Sequence, residues 1–167
     1  MKNWLPIVLL ALLTIVYAAE KNNGPAVELN ASAAQPRQVE DVTEKAITRD
    51  YANAWKVMET ALSENRTDQL GSGFAGVAQD KLEKRIEGQR ASNLKIRIVD
   101  HGHKLDAIFY SPEGSALQVR DTAQLEIEYL NGNSVVHREQ VTQKYLALLT
   151  VAEDRWKVRV LEEEPKS

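Results

Sequence analysis

ALQVRDTAQLEIEYL, residues 116–130, decides the fold. Its odd positions Leu117, Val119, Ala123, Leu125, Ile127 and Tyr129 are apolar, whereas Gln118, Arg120, Thr122, Gln124, Glu126 and Glu128 are polar. A period of two makes a strand with one buried and one wet face. Asn131-Gly132 then supplies a hairpin turn. Beyond it, residues 134–151 carry the buried face onward through Val141, Tyr145, Ala147, Leu149 and Val151. Upstream, Leu94, Ile96 and Ile98 begin a first strand, which resumes over 105–110 after a polar interruption at 100–104. Ser111-Pro112-Glu113-Gly114 turns it into the second strand. Downstream, Trp156, Val158 and Val160 alternate with Lys157 and Arg159. Tight turns between successive strands predict an antiparallel meander of four strands, and strands this long must bend and be covered on one face.

The cover comes from a different period. Val42, Ala46, Ile47, Tyr51, Ala54, Trp55, Met58, Ala61 and Leu62 recur every three or four residues. That predicts a long amphipathic helix ending near Asn65, its stripe turned to the sheet. A short helical turn capped by Thr67 and broken by Gly71-Ser72-Gly73 follows. A third helix is expected over 74–90, with Phe74, Ala78, Leu82 and Ile86 on its inner side. The charges between them belong to a solvated face, where i,i+4 pairs are worth only a few tenths of a kcal/mol.

The 167 residues carry 27% charged side chains, a net charge of -3 and no cysteine. Nothing here suggests nucleic acid, and disulfides, thiolate metal sites and a lipid-modified cysteine are excluded. Met1-Lys2, the apolar run 4–16 and Val16-Tyr17-Ala18 are the three parts of a secretory signal peptide, with cleavage expected between Ala18 and Ala19. The competing reading is an uncleaved anchor, but sixteen helical residues span only about 24 Å of a ~30 Å hydrocarbon core. The expected organisation is a signal peptide or signal anchor at 1–19, a flexible linker at 20–40, an α+β domain at 41–163 and a tail at 164–167. Such a chain is exported to a periplasmic or extracellular space, touching membrane only through an uncleaved N-terminal segment.

Helices followed by a strongly curved antiparallel sheet ending in Arg155-Trp156-Lys157-Val158 resemble the nuclear transport factor 2-like cone. Leu70, Gly76, Leu82, Ile86, Gly88, then Ser111, Glu113-Gly114, Ala116, Val119, Thr122, then Tyr145 and Leu148, are similar to the intermembrane-space domain of the chloroplast and cyanobacterial division scaffold. The scaffold's large N-terminal cytoplasmic region has no counterpart in this sequence, so a role in division does not transfer. The resemblance implies a non-catalytic, partner-binding domain outside the cytoplasm.

Asp121 falls on the otherwise apolar face of the second strand. A carboxylate looking into the cone would have its pKa raised by desolvation, as a general acid or base requires. Cone-fold isomerases and cyclases, to which the resemblance extends, use such acids with a tyrosine or second acid opposite, as ketosteroid isomerase does; Tyr51 or Tyr145 is the candidate donor here. The expectation, however, is a β-bulge near 120–122 that turns Asp121 to water. His101 and His103 stand two apart on an extended segment and form a weak metal candidate, with Asp100 or Asp106 as a further oxygen. No cofactor motif appears. The reading is a non-catalytic binding or scaffold domain for a partner protein or small apolar ligand, monomeric or weakly dimeric. The alternatives are a small-molecule isomerase or cyclase using Asp121, and a signal-anchored subunit of an envelope complex.

Overall fold

The computed structural model describes residues 26–165. The expected signal peptide or signal anchor at 1–19 and the first residues of the expected linker lie outside them. In chain order come β1 (Val27–Asn30), β2 (Gln35–Pro36), α1 (Asp41–Glu64), a 3-10 turn (Leu70–Ser72), α2 (Gly76–Ser92), β3 (Leu94–Tyr110), β4 (Ala116–Asn131), β5 (Ser134–Ala152) and β6 (Arg155–Glu163).

The meander is present: β3, β4, β5 and β6 pair antiparallel in sequence order. The sheet nonetheless has six strands and is mixed, not four-stranded and purely antiparallel. β1 pairs parallel to β3 at His103–Asp106, and β2 pairs parallel to it at Phe109–Tyr110. Both come from within residues 20–40, expected as a flexible linker. Their apolar residues are too few to show a period, and it is the open edge of β3 that gives their backbone groups partners.

Among the described residues two α-helices are present rather than three. The expected short turn is present as a single 3-10 turn, but Gln69 and not Thr67 precedes it. Asn65 and Asn93 close α1 and α2 in the left-handed conformation, which asparagine tolerates better than most residues. Gly73 is needed for close approach: a Cβ there would lie 2.7 Å from Ala54 Cα on α1.

α1 turns Ile47, Tyr51, Ala54, Trp55, Met58 and Leu62 inward, and α2 contributes Ala78, Leu82 and Ile86. They meet Leu105, Leu117, Val119, Leu125, Leu149, Trp156 and Val158 of the sheet in one core. The expected stripe loses Val42, which is exposed, and gains Asp50, which is buried. The Asp50 carboxylate accepts the Trp156 backbone N–H at 2.9 Å and Arg49 Nε at 2.9 Å, tying α1 to the start of β6.

The face expected to be wet also departs from its pattern at Glu128. This carboxylate is buried, flanked in register by Arg97 on β3 and Arg138 on β5, and paired with both guanidiniums.

A candidate site around Asp121

β3 does not keep one phase. Register shifts between Asp100 and Gly102 and between Ala107 and Phe109 each insert an extra residue. The inward residues are therefore Ile96 and Ile98, then His103, Leu105 and Ala107, then Tyr110. Gly102, at φ +138, makes the first bulge in a conformation that L side chains avoid. β4 keeps its phase through the segment where a bulge was expected, so Asp121 is not in solvent. It is 0% exposed on the concave face.

There it meets two groups. Tyr51 of α1 donates its hydroxyl to Asp121 Oδ2 at 2.8 Å, and His103 Nδ1 lies 2.8 Å from the same oxygen. The other imidazole nitrogen, Nε2, lies 2.8 Å from Asp100 Oδ2, whose second oxygen accepts the Gly102 N–H at 2.8 Å. Asp100 N–H in turn donates to Glu59 of α1 at 3.1 Å. The bulge thus brings Asp100 under the ring that the following residues carry inward. Asp121 Oδ1, also buried, has no protein partner.

Electrostatics fix the proton. Burial pushes the His103 pKa down, but the hydrogen bonds and charges of Asp100 and Asp121 outweigh it and carry it up to about 9. At neutral pH both ring nitrogens donate, and a charged imidazolium bridges two carboxylates. Trp55 lies against it at 4.4 Å between ring centroids, close enough for a cation–π contribution. Burial, and next to it the Asp121 charge, push the Tyr51 phenol well above its ordinary value, so it remains a donor.

His101 and His103 do not act together. His101 is the exposed residue of the bulge and has no partner in the β4 register, while both nitrogens of His103 are engaged by carboxylates. Among the described residues, no group of three or more histidine, aspartate or glutamate side chains is placed to hold a metal.

Tyr145 stands opposite Asp121 in the β4–β5 register and packs edge-on against Trp55 at 5.5 Å. Its other side faces a cavity of about 320 Å³. Met58 of α1, Leu82 of α2 and Ile98, Leu125, Ile127 and Leu161 of the sheet form the cavity's apolar wall; Lys81, Arg85, Glu162 and Glu163 give it a charged rim. None of Tyr51, Asp100, His103 or Asp121 lines it. Tyr145 is the partition between the cavity and the buried ion cluster. Burial, reinforced by Glu163, raises its own pKa, so the hydroxyl it brings to the cavity is a neutral donor.

Helices laid over the concave face of this curved sheet make the nuclear transport factor 2-like fold, and solved structures share it. The intermembrane space region of the chloroplast protein ARC6 aligns with a TM-score of 0.61 at 13% identity, over 77% of this chain and 100% of that one. A proposed scytalone dehydratase from Novosphingobium aromaticivorans aligns at 0.50 and 14% identity, over 75% and 85%. A proposed dehydratase of the NTF2-like family from Streptomyces avermitilis aligns at 0.50 and 10%, over 74% and 98%. No protein-family model matches the sequence, and no curated protein does. At these identities the likeness is one of fold, and a fold does not carry a function with it.

Proposed function

We propose that this chain is a non-catalytic, extracytoplasmic binding domain that takes a small apolar ligand in the cavity behind Tyr145. The observation that carries this reading is the separation of the acid from the cavity. Asp121 is held inside the core by hydrogen bonds with an imidazolium and a phenol, while the walls a ligand would touch are apolar apart from one hydroxyl and the rim. A volume of about 320 Å³ suits a small ligand, and such sites are lined mainly by apolar side chains with few polar groups. The extracytoplasmic placement rests on the sequence of residues 1–19 and on the likeness to an intermembrane-space domain.

The neutral fluorophore N-phenyl-1-naphthylamine tests the cavity. Wild type is expected to bind it with a Kd in the micromolar range, and Ile127→Trp, which fills the cavity from the sheet side, to weaken binding at least tenfold. Arg120→Gln, on the opposite face, should leave it unchanged. Equal binding by wild type and Ile127→Trp would remove the cavity as the site. N-terminal sequencing of the exported protein should begin at Ala19 or nearby; an intact Met1 would favour the anchored envelope subunit instead.

One observation favours the isomerase or cyclase reading: Asp121 Oδ1 is buried and unpartnered, on a carboxylate whose other oxygen accepts a phenol. That chemistry requires Tyr145 to swing aside and His103 to give up its proton. Naphthylamine binding that perturbs the carboxyl carbon resonance of Asp121 would support it; an unmoved resonance supports the sealed cluster.

A further inference from the structure

The rim of the cavity specifies the head group of its ligand, a conclusion that rests on the cavity being the binding site. Four charged side chains form that rim: Lys81 and Arg85 on α2, and Glu162 and Glu163 at the end of β6. Two of them satisfy each other, since Lys81 Nζ lies 2.5 Å from Glu162 Oε1. The other two stand apart. Among the described residues neither Arg85 nor Glu163 enters an ion pair, with each other or with a third group.

Both nevertheless reach the same opening. Glu163 stands opposite Tyr145 in the β5–β6 register, which puts the two side chains on one face of the sheet. Arg85 lies three residues beyond Leu82 of the cavity wall, hence beside it on the helix surface. The two charges act in opposite senses on the Tyr145 hydroxyl, Glu163 raising its pKa and Arg85 lowering it. One mouth therefore holds an unpaired cation, an unpaired anion and a neutral hydroxyl donor.

These groups discriminate between head groups. A lone carboxylate would meet Arg85 and be repelled by Glu163, and a lone amine would meet Glu163 and be repelled by Arg85. An uncharged head would use neither. A head that carries both signs satisfies both. Size limits the rest of the molecule: about 320 Å³ is near the lower end of ligand pockets, which run from about 300 to 1,000 Å³, and holds one apolar side chain rather than the acyl chains of a lipid.

We propose that the cavity takes a free α-amino acid with a large apolar side chain. The side chain enters among Met58, Leu82, Leu125 and Ile127, the carboxylate accepts from Arg85 and the Tyr145 hydroxyl, and the ammonium donates to Glu163.

Titration calorimetry of the full chain with L-phenylalanine, phenylpropionate and phenylethylamine tests this, because the three share a ring and differ in the head. Phenylalanine should bind roughly tenfold more tightly than either relative, the worth of one charge-assisted contact. Arg85→Gln should weaken phenylalanine and phenylpropionate about tenfold but not phenylethylamine, which has no carboxylate. Glu163→Gln should weaken phenylalanine and phenylethylamine but not phenylpropionate, which has no ammonium. Both positions are exposed, so neither change disturbs the core. Phenylalanine should also displace N-phenyl-1-naphthylamine. Phenylalanine that binds no better than its relatives, or equally well to wild type and both variants, overturns the proposal; naphthylamine still bound at the cavity then leaves the cavity reading standing. A wild type that binds none of the four compounds overturns both.

Discussion

Urea unfolding of the His103→Leu variant is expected to show a loss of about 3–5 kcal/mol, a large part of the ~5–15 kcal/mol that holds a domain of this size. Leucine fills much of the space, so the loss is not chiefly a void. It arises because Asp100 and Asp121, bridged in the native protein by one imidazolium, are left buried with no cation between them. The like charges repel, and Asp121 retains only the Tyr51 hydroxyl. The same reasoning makes the loss non-additive. Asp121→Asn removes one stranded charge, so the double variant His103→Leu/Asp121→Asn should be more stable than the two single losses predict, by about 1–3 kcal/mol. A loss below about 1 kcal/mol with strict additivity would mean that no buried ion cluster exists.

The second large effect is on pH. The His103 pKa is raised from 6.5 in the unfolded chain to about 9 in the folded protein, so the folded state holds the proton more tightly. The resulting stabilisation is complete below pH 6.5 and is lost as pH rises through about 9. A difference of this size corresponds to roughly 3 kcal/mol. Of the groups packed around the ring, Asp100, Asp121 and Glu59 are acids, and Tyr51 is held above its ordinary range. The loss of stability that Tyr51 adds on ionising therefore begins above this window. Denaturant midpoints between pH 6.5 and 9.5 should therefore decline in wild type and stay nearly level in His103→Leu. A flat wild-type profile would mean an imidazole that is neutral in the folded state.

How far the sequence leads is visible in β3 and β4. The alternation of Ala116–Asn131 is uninterrupted over its first ten residues and marks the strand and its buried face; it carries Asp121 inward too, against the expectation that a bulge near 120–122 turns it to water. The pairing of Asp121 with His103 was not readable. Counting back from the turn at 111–115 without bulges puts Asp106 opposite Asp121 and turns His103 outward. The insertion at Ile108 shifts the count by one, and the register then sets Leu105 opposite Asp121, with His103 two residues along the same face. A second insertion at His101 restores the original phase, which is why Ile96 and Ile98 face inward at even numbers while His103 and Leu105 do so at odd ones. The polar stretch from 100 to 104 looked like a break between strands because its two bulge-related features, an exposed histidine and a left-handed-region glycine, sit beside residues that are buried only in pairs. The bulge expected near 120–122 of β4 is absent, whereas the bend or bulge that Gly102 suits, between the two histidines, is present. Gly102 was the available signal, since a glycine inside a strand pattern marks such an insertion. β1 and β2 left no signal of comparable strength, being short and fixed by an edge that only the folded sheet provides. Asp50, lying among the apolar residues of α1, was legible as an inward polar group only once Trp156 had arrived to be bonded.

These elements give His103 the part of a charged strut. It joins the bulge of β3 to the centre of β4 beneath α1, and Tyr145 closes it off from the cavity where a ligand is proposed to bind. A histidine acting as general base has to be unprotonated at its working pH; a strut between two carboxylates does not. Nitrogen-15 NMR of the imidazole ring of His103 followed from pH 5 to pH 10 distinguishes the two directly. A strut predicts both ring nitrogens protonated through pH 8 with a midpoint near 9. A neutral ring at pH 7 with a midpoint near 6.5 would contradict the ion cluster and return Asp121 to the list of candidate catalytic acids.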